Sequence, residues 1–194
     1  MNESQNSLPQ RADAWALLTE YTQSDSLRRH MLAVEAAMRS YANKFGEDAD
    51  RWGLAGLLHD FDYERWPNPS LGPDGHPFTG VKILRERGYP DDILEAILGH
   101  AGYSGVARNS RMAKTLFAVD ELCGFVVAAA YVRPEKLTNL SSSSVKKKLK
   151  DKSFAAAVSR QDISQGIAEL GVEQDEHFTL VISALQGIAA ELGF

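Results

Sequence analysis

The stretch GLLHDFDYERWP, residues 56–67, ends an apolar helical pattern with two adjacent polar residues, His59 and Asp60. The residues just before the pair, LAGLL at 54–58, have the composition of a helix end that lies in a protein interior. An imidazole or a carboxylate that is buried there without a partner is unstable. The pair therefore predicts that solvent, a hydrogen-bond partner or a metal lies beside it.

The helical period dominates the rest of the chain, and alternating strand patterns are scarce. In one segment, capping residues at 24–26 precede apolar residues that recur every three or four positions as far as Phe45, and Gly46 follows. The pattern predicts further helices over 11–21, 48–58, 77–87, 90–100, 110–132, 162–170 and 174–192, and a proline-rich loop over 66–75. We therefore predict an all-α fold.

The chain length of 194 residues suits a single domain, 1–194. The composition changes most clearly in the stretch LTNLSSSSVKKKLKDKSF, residues 137–154, whose serine run could cap a short helix. We predict a core over 24–134 and a C-terminal helical extension over 135–194 that packs on it.

Charge and cysteine content restrict the partners and the compartment. A net charge of −5 argues against a nucleic acid polymer as the partner. The single cysteine, Cys123, lies in an apolar run, which favours a buried hydrophobe in a reducing compartment over a nucleophile. Residues 1–15 lack the pattern of a secretory signal, and the most apolar stretch, 123–132, is about half of a membrane span. We expect a soluble, cytoplasmic protein without a membrane partner; a homo-oligomer is compatible with these features.

A carboxylate, Asp120, lies on the apolar stripe of the longest predicted helix, where it needs a charged partner or a metal. A hydrogen-bonded core aspartate and a rotated, exposed stripe are the alternatives. His30 lies at the margin of one core stripe, and His100 lies on the inner face of another helix. With the His59–Asp60 pair they form a set of N and O ligands that suits a divalent cation such as Mn, Fe, Zn, Co or Mg.

The order of these residues resembles the HD-domain superfamily of metal-dependent phosphohydrolases. Four local contexts carry the resemblance, which extends over about 27–132: LLHD at 57–60, HPFTGVKIL at 76–84, ILGHAG at 97–102 and FAVDEL at 117–122. The resemblance implies an HD-domain-like helical bundle in which one metal is held by His30, His59, Asp60 and Asp120.

In members of that superfamily with two metals, two further histidines complete a second site and the aspartate of the HD pair bridges both ions. His76 and His100 match these histidines in order and context. We therefore expect two divalent cations, drawn from Mn, Fe, Mg, Co, Ni and Zn. A single metal, with His76 and His100 lining the substrate pocket, is the alternative.

The stretch after the HD pair departs from the pattern of many relatives, which carry Lys or Glu where this chain has Tyr63. The general acid is therefore unassigned. Asp62 and Glu64 flank this position, and together with Asp60 they are the candidate catalytic carboxylates. Asp62 or Glu64 would orient water or a ligand histidine, and solvated loop acids are the alternative.

Arginines just before the helix of Asp120 are the candidate phosphate ligands. Arg108 and Arg111 follow His100 by a short loop, and arginine binds phosphate in a bidentate manner. The alternative is an ordinary solvated helix start. His177, beyond the matched region and beside Asp175, is expected at the surface.

The resemblance implies a phosphohydrolase, either a phosphomonoesterase or a phosphodiesterase, in which a metal-activated water attacks phosphorus. The acidic net charge and short loops favour a nucleotide or another small phosphorylated metabolite as the substrate. A di-iron oxygenase of the same superfamily is one alternative. A noncatalytic helical module that senses metal or nucleotide is the other, and Tyr63 keeps it open.

Overall fold

The protein folds entirely into helices and their connections over residues 8–194, the range that the computed structural model describes. The helices in this range are α1 (Arg11–Tyr21), α2 (Asp25–Phe45), α3 (Ala49–Leu58), α4 (Phe78–Glu86), α5 (Asp91–His100), α6 (Arg111–Tyr131), α7 (Ser142–Leu149), α8 (Arg160–Leu170) and α9 (Gln174–Gly187). A 3₁₀ turn, Gly102–Ser104, lies between α5 and α6. The all-α prediction is confirmed; the first seven residues of the segment read for a secretory signal lie outside the described range.

Local capping explains where the helices begin and end. The hydroxyl of Ser24 accepts a hydrogen bond from the backbone N–H of Leu27, and Gly46 ends α2 in a left-handed conformation with φ of 70°. Ser141, within the serine run, caps α7 in the same way. The prediction that the last helix reaches residue 192 is wrong: α9 ends at Gly187, because a glycine is a weak helix former and tight turns follow it.

The core is built where α2, α3, α5 and α6 pack together. Helices α2 and α3 approach closely at Gly56, where a Cβ atom would lie 2.9 Å from the carbonyl oxygen of Val34. Phe125 of α6 and Leu57 of α3 are fully buried in this core. Cys123 is also fully buried, and burial raises the pKa of its thiol well above the usual value, as expected for a small hydrophobe rather than a nucleophile.

The C-terminal helices pack against the same core. Helix α8 crosses α6 so closely that a Cβ on Gly166 would lie 2.6 Å from the Cα of Ala118, and α9 packs on both α2 and α6. Of the residues described, 8–194, no helix is long and apolar enough to cross a membrane.

The expected surface position of His177 is wrong. Its side chain is fully buried between α9, α2 and α6, where Nδ1 accepts from the hydroxyl of Tyr41 at 2.5 Å and Nε2 donates to the carbonyl of Ala118 at 3.1 Å. The charged residues Asp175 and Glu176 precede it on the exposed side of α9, and one further step along the helix turns the side chain inward.

Candidate metal centre

Six polar side chains from five segments of the chain meet at one end of the core. His59 and Asp60 directly follow α3, and His76 lies just before α4. The structure brings together all six sequence-predicted ligand residues: His30, His59, Asp60, His76, His100 and Asp120.

The carboxylate of Asp60 lies at the centre of this cluster. One of its oxygens faces His30 and His59, the first half of the cluster, and the other faces His76 and His100, the second half. Oδ2 lies 3.5 Å from Nε2 of His59 and 3.9 Å from Nε2 of His30. Oδ1 lies 3.3 Å from Nε2 of His76 and 3.4 Å from Nε2 of His100. Asp60 is therefore placed to act as a ligand on both sides.

Asp120 completes only the first half of the cluster. Its Oδ1 lies 2.9 Å from Nε2 of His30 and 3.4 Å from Nε2 of His59. The predicted alternative of an exposed stripe does not describe this carboxylate, because its side chain is 20% exposed and faces two imidazoles. Its 2.9 Å contact with His30 has hydrogen-bond geometry, so the alternative of a hydrogen-bonded aspartate stays open beside the prediction of a metal ligand. One half of the cluster thus holds two histidines and two carboxylates, and the other holds two histidines and Asp60.

Hydrogen bonds on the far side of three rings fix how the imidazoles face the cluster. Nδ1 of His59 donates to the carbonyl of Gly56 at 2.8 Å, Nδ1 of His76 donates to Asp62, and Nδ1 of His100 donates to the carbonyl of Ile97. In a neutral imidazole the other nitrogen then carries a lone pair. Each Nε2 is therefore presented to the cluster as a metal ligand would be.

This arrangement fits a cation, because acceptor atoms face one another inside the cluster. The two Nε2 atoms of His76 and His100 lie 3.3 Å apart, and the buried Nε2 of His59 has no hydrogen-bond partner in residues 8–194. Lone pairs and carboxylates at such distances repel unless positive charge lies between them. The donor set of imidazole nitrogen and carboxylate oxygen suits a divalent metal.

The pKa values of His59 and Asp60 also indicate that positive charge is favourable inside the cluster. Burial lowers the pKa of His59, but the charges of Asp60 and Asp120 outweigh it and raise the pKa to about 9. Burial raises the pKa of Asp60, but the neighbouring histidines, first His59, hold it well below the usual value. The cluster therefore stabilises a cation at this place.

Asp62 is buried, and it contacts a cluster histidine rather than the cluster itself. Its Oδ1 accepts from Nδ1 of His76 at 2.8 Å, and its Oδ2 accepts from the backbone N–H of Gly80 at 2.7 Å. The alternative of a solvated loop acid is wrong for Asp62, because its side chain is almost completely excluded from solvent. These contacts fit the predicted role of orienting a ligand histidine, and that role stays a prediction.

Glu64 lies elsewhere. Its Oε2 accepts from the backbone N–H groups of Gln23 and Ser24, at 3.0 and 2.9 Å, and so caps the approach to α2. The structure shows no contact between Glu64 and the histidines. A catalytic role for Glu64 stays a prediction.

The two candidate phosphate ligands also have other partners. Arg108 makes a bidentate ion pair with Glu169, donates to the carbonyl of Gly99 and lies over the ring of Phe117. This ion pair lowers the pKa of Glu169 to about 2, and it joins α8 to the loop before α6.

Arg111 lies 3.6 Å from Glu47 and over the ring of Phe45, with about half of its side chain exposed. The structure brings neither Arg108 nor Arg111 into contact with the cluster. Phosphate binding by these residues stays a prediction.

Residues that the sequence reasoning missed surround His76. Its carbonyl oxygen accepts from the hydroxyl of Tyr103 at 2.7 Å and from Nδ2 of Asn68 at 2.8 Å, and the ring of Tyr63 packs edge-on at 5.4 Å. Burial and then the charge of Asp60 raise the pKa of Tyr103. Of Tyr103, Asn68 and Tyr63, only Tyr63 stood out in the sequence, because many relatives carry Lys or Glu at its position.

The cluster opens to solvent on one side. The side chains of His30, Asp60 and Asp120 are 21, 18 and 20% exposed, whereas that of His59 is 0% exposed. His76 and His100 are almost as buried as His59, at 5 and 6%. A substrate would therefore enter past His30, Asp60 and Asp120.

Comparison with known proteins agrees with this geometry. A family model described as HD domain matches residues 27–124, just over half of the chain, and this range contains all six cluster residues. No curated protein and no solved structure matches the chain significantly. HD domains bind divalent metals and imply a superfamily of metal-dependent phosphohydrolases. The sequence match and the histidine–aspartate cluster together show that this chain belongs to the HD-domain family.

Proposed function

We propose that this protein hydrolyses a phosphoester of a nucleotide or another small phosphorylated metabolite, using two divalent cations. The placement of Asp60 carries the proposal, because each oxygen of one carboxylate faces a separate pair of histidines. A bridging carboxylate between two groups of ligands is the arrangement that a two-metal site needs.

The six cluster residues would bind the cations in two groups that share Asp60. His30, His59, Asp60 and Asp120 would hold one cation, and Asp60, His76 and His100 would hold the other. When bound, such cations lower the pKa of water and neutralise charge that develops on phosphoryl oxygens. Asp62 keeps the lone pair of His76 directed at the cluster through its contact with Nδ1.

The exposed side of the cluster determines how the phosphate would approach. Because His59, His76 and His100 are buried, the phosphate reaches the site beside His30 and Asp120. The protein has a negative net charge, and Arg108 and Arg111 are paired with Glu169 and Glu47, so the cations would be the principal source of positive charge at the cluster.

The test is a phosphoester screen with defined metal content. Protein treated with a chelator is reloaded separately with Mn, Mg, Co, Ni, Zn or Fe and assayed for phosphate release from nucleotides and other small esters. We expect turnover with at least one metal and none after Asp60→Asn. Asp175→Asn is the control, because the Asp175 carboxylate is exposed and pairs with Lys146 rather than with a cluster residue.

The same protein preparations test the two alternative functions, an oxygenase and a sensing module. Tightly bound iron with oxygen consumption and no phosphate release would refute the hydrolase and support a di-iron oxygenase. Nucleotide binding without turnover under any metal would instead support a sensing module.

A further inference from the structure

A glycine in the middle of α6 has no packing explanation. Gly124 lies one helical turn after Asp120, where a glycine weakens the helix. A Cβ on Gly56 or on Gly166 would collide with backbone atoms, at 2.9 and 2.6 Å. A Cβ on Gly124 would meet only Nδ1 of His30 within 4 Å among the residues described, and at an ordinary 3.9 Å. The space beside Gly124 is therefore open.

This space belongs to a cavity of about 510 Å³, here named the His30 cavity. Leu27 and His30 of α2 form one wall, and Gly124, Val127 and Ala128 of α6 form another. Val158, from the connection before α8, also lines it. Ser26, Arg29 and Tyr131 add polar groups to the lining, but most of the surface that lines the cavity is apolar.

The His30 cavity meets the metal centre at the ring of His30, whose Nδ1 lies toward Gly124 and whose Nε2 faces the cluster. His30 lines the cavity while its Nε2 lies 2.9 Å from Asp120, and it is the most exposed histidine of the cluster. A molecule whose phosphate reaches the cations past His30 would place its remaining atoms in the cavity by extending around the edge of this ring. Binding against an apolar wall is favourable when the ligand buries apolar surface there, and it is not favourable when the ligand buries hydroxyl groups that find no hydrogen-bond partner.

The rim of the cavity carries a cation. Nη1 of Arg29 donates to the hydroxyl of Tyr131 at 3.1 Å, and no carboxylate in residues 8–194 forms an ion pair with this guanidinium. Positive charge at the rim of an apolar cavity suits a ligand that is anionic at one end and apolar at the other.

We propose that the His30 cavity holds the organic group of the substrate and that this group is aryl or alkyl, rather than the sugar of a nucleotide or a sugar phosphate. The proposal rests on the proposed phosphohydrolase function and narrows its substrate class. Gly124 would then act as a specificity-determining residue, because a side chain that extends beyond Cβ at this position would occupy the cavity.

The test compares two phosphonates, which bind like phosphates but are not hydrolysed. Protein comprising residues 1–194 and loaded with Mn²⁺ is titrated calorimetrically with phenylphosphonate and with methylphosphonate. We expect phenylphosphonate to bind about tenfold more tightly or better, because its ring buries apolar surface in the cavity. Gly124→Leu should abolish this preference, so that phenylphosphonate binds no more tightly than methylphosphonate to the variant.

Two further variants keep the result interpretable. Gly124→Ala is the matched control, since its Cβ fits and the preference should persist. Ala128→Leu fills the cavity from the next helical turn, so it replaces Gly124→Leu if that variant does not fold by circular dichroism. Equal affinity for both phosphonates, binding of neither, or a preference that survives both leucine variants overturns the proposal.

Measuring the turnover of phosphoesters distinguishes a failure of the cavity assignment from a failure of the proposed hydrolase function. A protein that shows the binding preference but cleaves neither phenyl phosphate nor any other ester retains the cavity assignment and loses the hydrolase assignment. A protein that cleaves esters without the preference loses the cavity assignment alone.

Discussion

Nε2 of His30 and Oδ1 of Asp120 lie 2.9 Å apart, although 90 positions separate the two residues in the chain. The contact joins α2 to α6 at the only side of the cluster, among the described residues, where the ligand side chains are appreciably exposed. It therefore ties the metal centre, the entrance and the His30 cavity to the same pair of helices.

The number of cations that each variant binds should depend on which half of the cluster loses a ligand. Asp60→Ala should lose both cations, because one carboxylate serves both halves, whereas His76→Ala and His100→Ala should lose one cation first. His59→Ala should abolish metal binding and activity together. Metal per chain, measured by elemental mass spectrometry after dialysis, checks this. Unchanged metal content in both the His76 and the His100 variants would contradict two-metal binding.

The Asp62 carboxylate should tune metal affinity without being a ligand. Asp62→Asn weakens the acceptor for Nδ1 of His76, so the second cation should bind about 10–100-fold more weakly while the fold persists. Competition with a chromophoric chelator measures this affinity. Asp74→Asn, an exposed change in the loop before His76, should leave it unaltered. Equal affinities in the two variants would exclude the orienting role.

The sequence predicted those features that depend on neighbouring residues. Helix α2 begins at the Ser24 cap and ends at Gly46 because both signals act within a few residues. The six cluster residues were identified through the ordered motifs that resemble HD domains, such as LLHD at 57–60, and the structure brings them together; their role as metal ligands stays a prediction.

The remaining contacts depend on packing between distant segments, which spacing does not encode. Glu64 caps residues some 40 positions earlier, and Arg108 pairs with Glu169, 61 positions later. Neither partner can be identified before the helices are placed. The charged neighbours of His177 indicated solvent, yet its contact with Tyr41 crosses 136 positions.

Two glycine-to-alanine changes should have opposite effects on stability. Gly56→Ala should destabilise the protein by roughly 1–3 kcal/mol, because the methyl group meets the backbone of α2 at 2.9–3.0 Å. Gly124→Ala should stabilise it by up to about 1 kcal/mol, because the methyl group fits and alanine is the better helix former.

Urea unfolding of the metal-free protein, followed by circular dichroism, measures both glycine variants against the parent. The two changes add the same methyl group to helix interiors, so each serves as the control for the other. Loss of stability in Gly124→Ala would show that the space beside it is already filled by the protein.

Stability should fall as the pH is lowered through the range in which His177 is charged only after unfolding. Burial, followed by the charge of Lys44, lowers the pKa of His177 from its ordinary 6.5 to about 4 in the folded protein. Between these values the unfolded chain binds a proton that the folded chain excludes, so acid favours unfolding. The neutral ring also suits its contacts, since Nδ1 accepts from Tyr41 and Nε2 donates to Ala118.

The magnitude follows from the same pKa values. Lowering the pH from about 7 to about 5 should cost the parent protein roughly 2 kcal/mol through His177 alone. His177→Gln retains an amide that can accept from Tyr41 and donate to Ala118, but it does not titrate. Its free energy of unfolding should therefore fall less over this range, and every other titration, including that of the metal centre, cancels in the difference between the two proteins. Parallel stability curves for the parent and His177→Gln would show that the buried imidazole accepts a proton without penalty.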